Sequence, residues 1–237
     1  MVRKEVSEYK GSELELFKSA SNWKNYFSSF LKAHITGSVA DVGSGIGTNY
    51  EYLVNAHVDK WTFIEPDAFL MSKVAVSYST TVKHKGFLLD IDSRNKFDTI
   101  IYIDVLEHIR ETGPELTIAV DRLNDNGKLI ILVPAYNFLF SRFDYQCGHY
   151  RRYNKSSLIN AVNHLDLQIC EVRYLDTIGV LTSLVNKFIL KQECPTKHQI
   201  LFWDKKLIPF SIKIDTFMKH SFGRSLYGIF KKQSGKI

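Results

Sequence analysis

The chain has 237 residues, 45% hydrophobic and 24% charged, enough for one sizeable core under an ordinary globular surface. Its formal net charge of +6 is uneven: Pro195 to Ile237 holds nine Lys or Arg against two Asp, and the near-neutral remainder argues against nucleic acid as a partner. Cys147, Cys170 and Cys194 form no CxxC pair and leave an odd count, so neither a disulfide framework nor a metal knuckle is indicated, and free thiols in a reducing cytoplasm are expected.

The opening MVRKEVSEYKGSELELF lacks an apolar signal core, and no later run reaches the roughly 18 apolar residues of a membrane span. Residues 12–35 carry Leu16, Trp23, Tyr26, Phe27, Phe30 and Leu31 at helical spacing, which predicts one or two helices ahead of a sheet. Five short apolar runs follow, at 38–44, 60–67, 86–92, 97–104 and 128–135, each ending in small, acidic or Pro residues. They read as buried parallel strands. Their alternation with helix-like stretches predicts an α/β fold, a doubly wound and mostly parallel sheet with its ligand at the carboxyl ends of the strands. A helix over 154–165 capped by Asn154, a strand over 167–176, a helical insertion over 177–223 and a strand over 225–232 complete a seven-stranded single domain. Its parts are an N-terminal helical cap to residue 36, a cofactor-binding core over 37–176, the insertion, and a last strand and tail from 224.

The strongest chemical signal is DVGSGIG at 41–47, where a strand should turn into a helix. Gly43, Gly45 and Gly47 allow a tight turn and close approach to a ligand. A dinucleotide fingerprint would place its third glycine where Thr48 stands, so the spacing disfavours a nicotinamide-dependent oxidoreductase. Asp41 can orient the loop or receive the ammonium group of an amino-acid ligand, whereas it would repel a pyrophosphate. Glu65 closes the second run about 20 residues beyond the loop, where a carboxylate commonly takes ribose hydroxyls. Asp90 closes the third and can accept from an exocyclic amine such as adenine N6, with Leu89 and Ile91 flanking the ring.

In this order and spacing the residues resemble those of the class I S-adenosylmethionine-dependent methyltransferases. Asp41, Gly43, Gly45 and Gly47 match the family's acid-and-glycine loop, with Ser44 inside it. Glu65, followed by Pro66, matches the ribose-binding acid, and Asp90 with Ile91 the adenine side. FDTIIYIDVLEHI resembles the fourth-strand motif of the small-molecule branch, which implies that Asp104, Val105 and His108 line the methionine end of the cofactor. The resemblance extends over about residues 36–176, and implies a Rossmann-like fold, S-adenosylmethionine as cofactor and methyl transfer. NWKNY at 22–26, GHYRRY at 148–153, LFWDKKLIPF and GRSL are similar to a bacterial subgroup that resembles accessory enzymes of surface-polysaccharide or glycolipid assembly.

Methyl transfer from a sulfonium needs a positioned nucleophile, and needs a base only if the acceptor must lose a proton. His149 is the first candidate base and His108 the second, the latter also placed to pack against the cofactor. Around His149, Asp144, Tyr150, Arg151, Arg152 and Tyr153 either bind the acceptor or pin the loop by ion pairs. If they bind, two arginines imply an anionic acceptor, such as a sugar acid or phosphorylated sugar. Trp23 and Tyr26 either lid the cofactor or form the apolar face of a helix. The tail's aromatics and lysines fit either a peripheral contact at the inner face of the membrane, suiting a lipid-linked acceptor, or an amphipathic cap on the sheet. The expected function is methylation of an O or N nucleophile on a small-molecule or glycan acceptor, without a metal. The rival is a module that binds S-adenosylmethionine or a membrane surface without turnover.

Overall fold

In the computed structural model, which describes residues 12–75 and 78–234, seven strands form one sheet. They are β1 (Gly37–Val42), β2 (Val58–Glu65), β3 (Thr81–Lys85), β4 (Phe97–Ile103), β5 (Leu123–Pro134), β6 (Leu167–Leu175) and β7 (Ser225–Lys232). The spatial order is β3-β2-β1-β4-β5-β7-β6. Strands β1 to β5 pair parallel, and β7 runs antiparallel between β5 and β6. The predicted seven-stranded, mostly parallel α/β sheet is what forms.

The central strands are apolar over residues 100–103 of β4 and 129–133 of β5 because both faces are covered there. On β4 and β5, Ile101, Ile103, Ile130 and Leu132 enter one core layer, while Ile100, Tyr102, Leu129, Ile131 and Val133 enter the other. Helices α1 (Ser12–Phe17) and α2 (Ser21–Leu31) precede the sheet; Trp23, Tyr26, Phe27 and Leu31 of α2 are buried in the first layer. Three short helices follow β1, β2 and β5: α3 (Tyr50–Leu53), α4 (Ala68–Ser72) and, after α5 (Thr112–Arg122) on the other layer, α6 (Arg142–Gln146). Asn154 caps α7 (Lys155–Val162) as predicted, accepting from Ser157 N–H at 2.8 Å.

The third strand needs correction. The apolar run at 86–92 is not a strand; the strand is the preceding TVKHK of β3, and Leu88–Asp90 form a single 3-10 turn. β3 is the sheet edge, paired on one side and mostly exposed, so it needs no apolar run, and its lysines discourage pairing with another chain. Leu88 meanwhile reaches the core from a turn.

Between β6 and β7 lies the helical insertion: α8 (Thr177–Val185), a π-helical turn Asn186–Leu190, α9 (Lys197–Phe202), a second π-helical turn Trp203–Leu207, and α10 (Ile208–Phe217). Three fully buried aspartates tie it down. Asp176 accepts from Gly179 N–H, Trp203 Nε1–H and the Ser211 hydroxyl. Asp204 accepts from the N–H groups of Asn22 and Trp23, capping α2 from a distant part of the chain. Asp215 accepts from the Tyr26 hydroxyl and from the N–H groups of Asp176 and Thr177. No helix among the described residues is long and apolar enough to cross a membrane. Residues 1–11 of the cap and 235–237 of the tail lie outside the described residues.

Candidate active site

Sheet order reverses between β1 and β4, and ligands of such sheets bind at the carboxyl ends of strands beside that point. After β1 the chain turns through Gly43 and Gly45 at φ 66° and 56°, values that strain any side chain. A Cβ on Gly43 would also lie 2.7 Å from Val105. Glu65, at the end of β2, holds this loop: Oε2 accepts from Gly45 N–H and Oε1 from Asp67 N–H, both at 2.9 Å. Burial pushes its carboxyl above the ordinary range against those two amide bonds. Each oxygen keeps a second lone pair.

At the end of β4, Asp104 adopts φ 53° and donates its N–H to Leu132 at 2.8 Å. Its side chain meets water inside the cleft yet is ringed by protein at longer range. That enclosure pushes its carboxyl up to about 6, against the pull of His149, Arg224 and Arg152. Glu107 is fully buried and neither carboxylate oxygen has a hydrogen-bond partner; burial first, and Asp104 second, drive its carboxyl well above the ordinary range. Burial and the neighbouring His149 push His108 down to about 3, so its imidazole is neutral. The two imidazoles stand edge to face with centroids 4.6 Å apart. Glu107, His108 and His149 each bring a donor atom within 4.8 Å of the others, close enough to share a proton or hold a small cation.

The loop after β5 is built around Asp144, fully buried on α6. Arg152 clamps it in bidentate fashion, Nε to Oδ1 at 2.7 Å and Nη2 to Oδ2 at 2.9 Å. Ser141 donates from N–H and hydroxyl to Oδ2, and His149 Nδ1 lies 2.9 Å from Oδ1. Burial opposes the charge, but the bonds from His149 and Arg152 hold the carboxyl well below the ordinary range. Arg152 is thus consumed in fixing the loop and is corrected from acceptor ligand to anchor. Arg151 is corrected too: it turns away to donate to the Arg110 carbonyl. Tyr153 is buried, pairing with Ala135 and donating its hydroxyl to Leu106 O at 3.3 Å, and Asp144 faces away from the cleft behind His149. Of that predicted set Tyr150 and the Arg152 side chain border the cleft, with Tyr150 half exposed beside Arg110.

These walls enclose a cavity of about 1050 Å³. Gly43, Ser44, Gly45, Glu65 and Pro66 line one side, Asp104, Val105 and His108 the floor, and His149 the facing wall. Four predicted cofactor residues do not reach it. Asp41 sits within the sheet, accepting from Trp61 Nε1–H at 3.3 Å, and burial pushes its carboxyl up to about 7. Gly47 packs against Val74 and Phe63. Asp90 is exposed and folds back to accept from Phe87 N–H at 2.8 Å, while Ile91 belongs to the core. Phe87 and Leu88 line the cavity where Asp90 was expected. Trp23 lines it, and Tyr26 does not.

Among the lining residues that sequence reasoning missed, three carry charged side chains into the argument: Lys24, Glu107 and Arg224. Lys24 is buried, its amine pushed down to about 8 chiefly by burial. Arg224 lies over the Trp203 ring at 4.3 Å with Nε 3.2 Å from Asp176. The LEHI, GRSL and NWKNY strings held Glu107, Arg224 and Lys24, but no pattern in them signals the burial of Lys24, which comes from long-range packing.

The donor set suits S-adenosylmethionine. Asp104 raises the proton affinity of the buried Glu107, and a cationic sulfonium or ammonium would relieve both carboxyls. The Ser44 hydroxyl, also lining the cavity, is buried without a partner. The family described as "Methyltransferase domain" matches residues 15–172. No curated protein matches the sequence. Among solved structures, a chain of the complex between the Haloferax volcanii Trm112 methyltransferase activator and a methyltransferase aligns with TM-score 0.65 at 11% identity, over 99% of this chain and 100% of that one. A SAM-dependent methyltransferase from Archaeoglobus fulgidus aligns with TM-score 0.63 at 12% identity, over 95% and 100%. Phosphoethanolamine N-methyltransferase 2 of Haemonchus contortus, in complex with S-adenosyl-L-methionine, aligns with TM-score 0.62 at 11% identity, over 99% of this chain and 62% of that one. This chain belongs to the methyltransferase-domain family, a class I enzyme that uses S-adenosylmethionine as its methyl donor.

Proposed function

We propose that the protein transfers the methyl group to an O or N nucleophile of an anionic, glycan-type acceptor carried on a lipid, with His149 as the base. The observation that carries this reading is the hydrogen bond between His149 Nδ1 and the buried Asp144 carboxylate. With the proton on Nδ1, Nε2 keeps the lone pair that takes a proton from an acceptor hydroxyl.

S-adenosylmethionine supplies a methyl group already activated on sulfur. Glu65 would take its ribose hydroxyls, with Gly43, Ser44, Gly45 and Pro66 alongside. Phe87 would cover the adenine, Asp104 and Glu107 would face the cationic end, and Lys24 would meet the carboxylate. Val105 and His108 would pack beside the methionine.

Two features support the acceptor class. Arg224 brings a guanidinium to the cavity wall, where an anionic group would find it in place of Arg151 and Arg152. Leu181, Val185, Leu190 and Phe202 line the same cavity though each is largely exposed, which suits an acceptor with a hydrocarbon part. A role at the cytoplasmic face, in surface-polysaccharide or glycolipid assembly, fits both.

The test is transfer of labelled methyl groups to polyprenyl-phosphate-linked sugars, free sugar phosphates and neutral sugars, by wild type and His149→Ala. A loss of about 10²- to 10⁴-fold in kcat with cofactor affinity unchanged is expected for the variant. Undiminished turnover would remove His149 as the base, and methylation of neutral sugars alone would overturn the acceptor class.

A further inference from the structure

Helix α10 is inside out. Its buried face is Ile208, Ser211 and Asp215, whereas Phe210, Ile214 and Phe217, spaced i, i+4 and i+7, face solvent, Phe217 with 88% of its surface exposed. An ordinary surface helix does the reverse, because apolar side chains leave water and charged ones do not. The inversion has a local cause: Ser211 and Asp215 are drawn inward as partners of Asp176 and of the Tyr26 hydroxyl. Nothing inside the chain requires the phenylalanines on the outer face.

The neighbouring helix extends the exposed apolar surface. α8 buries Gly179 and Val180 and exposes Leu181 and Val185, and the stripe runs into Phe188 and Ile189 on the following turn. α8 and α10 pack against each other, Ser211 donating to Asp176 at the start of α8 and Ile178 N–H donating to the Ser211 hydroxyl at 3.1 Å. Of nineteen large hydrophobic side chains exposed among the described residues, ten fall between Thr177 and Gly223. A monomeric soluble surface rarely concentrates them this way without a partner.

The charge of the same segment says which partner. Thr177 to Gly223 contains seven lysines, and of its three acids Asp204 and Asp215 are fully buried, leaving Glu193 as the only exposed carboxylate. Lys206 and Lys213 flank the outward stripe of α10 at helical spacing. Exposed phenylalanines and leucines ringed by lysines, without compensating acids, match an anionic bilayer: the rings enter the acyl boundary and the ammonium groups stay among the phosphates.

We propose that the insertion docks the protein on anionic membrane through the outer stripes of α8 and α10, with the apolar rim of the cavity opening beside the lipid. Leu181 and Val185 belong both to the exposed stripe and to the cavity lining, so an acceptor's hydrocarbon part would pass from bilayer to site without crossing water. The proposal extends the lipid-linked reading of the acceptor, and its test reads vesicle binding without turnover, so that either can fail alone.

The full chain is sedimented with vesicles of phosphatidylcholine and of phosphatidylcholine with phosphatidylglycerol, in low and high salt. Binding to the anionic vesicles alone, weakened by salt, is expected. The combined variant Phe188→Ser, Phe210→Ser and Phe217→Ser touches none of the cavity lining; it should keep its circular dichroism and cofactor binding and lose vesicle affinity by about tenfold or more, as three buried aromatic rings would imply. Lys205→Glu with Lys206→Glu and Lys213→Glu should abolish the preference for anionic lipid. Failure of the wild type to bind vesicles, equal binding by the aromatic variant, or a wild-type dimer that this variant dissociates would each overturn the proposal, the last by showing that a second copy covers the stripes.

Discussion

Two walls of one cavity use carboxylates in opposite ways. On the wall built from strand ends, Glu65, Asp104 and Glu107 turn toward the cavity, and where they have protein partners these are backbone amides. All three are pushed above the ordinary carboxylate range by enclosure. On the wall built from the loop after β5 and from the insertion, Asp144 and Asp176 turn away and gather side-chain donors, each with an arginine among them. The first arrangement leaves carboxyls whose ionisation a cationic ligand would favour. The second uses charge to hold backbone in place, and what it delivers to the cavity is an oriented imidazole on one side and the Arg224 guanidinium on the other.

The sharpest way to break that contrast is to remove the arginines. Arg152→Met would strip Asp144 of both bidentate bonds and its guanidinium, leaving Ser141 and His149 as partners, and breaking a buried ion pair of this kind costs about 3–5 kcal/mol. Arg224→Met removes one bond at 3.2 Å, and Asp176 retains Gly179, Trp203 and Ser211 as donors. A cost of about 1–2 kcal/mol is expected there. Urea denaturation of both variants measures the difference. Equal destabilisation would mean that the two aspartates are held alike, and a stable Arg152→Met protein would return Arg152 to the acceptor.

A smaller effect separates acids that look equivalent in sequence. Glu65→Gln should weaken S-adenosylmethionine binding by about tenfold, the worth of a charged hydrogen bond. Asp41→Asn should change it less than about twofold, because Asp41 bonds to Trp61 and does not line the cavity. Calorimetric titration of the two variants decides it. Strong loss in Asp41→Asn would mean that it acts on the ligand through the glycine loop.

That pair also marks how far the sequence could be read. The glycine spacing, the β1, β2 and β4 strand ends and the helical insertion were legible because backbone conformation and buried strands constrain residue type locally. Asp90 was misplaced because an apolar run signals burial and does not say whether a strand or a turn delivers it. In GHYRRY the residue types were plain, but whether an arginine faces a ligand or a neighbouring aspartate depends on α6, five or more residues away. Lys24 and the inverted α10 were invisible for the same reason: each owes its environment to an element more than twenty residues distant, Thr48 for one and Asp176 for the other.

The weakest effect tests the strand-end wall directly. Asp104 is neutral below about 6 and charged above it. A cationic cofactor gains attraction only when the carboxylate is ionised, so affinity for S-adenosylmethionine should rise by a few-fold as pH increases through that value. Asp104→Asn should flatten the profile. An affinity that is flat with pH in the wild type would mean that Asp104 faces an uncharged part of the ligand.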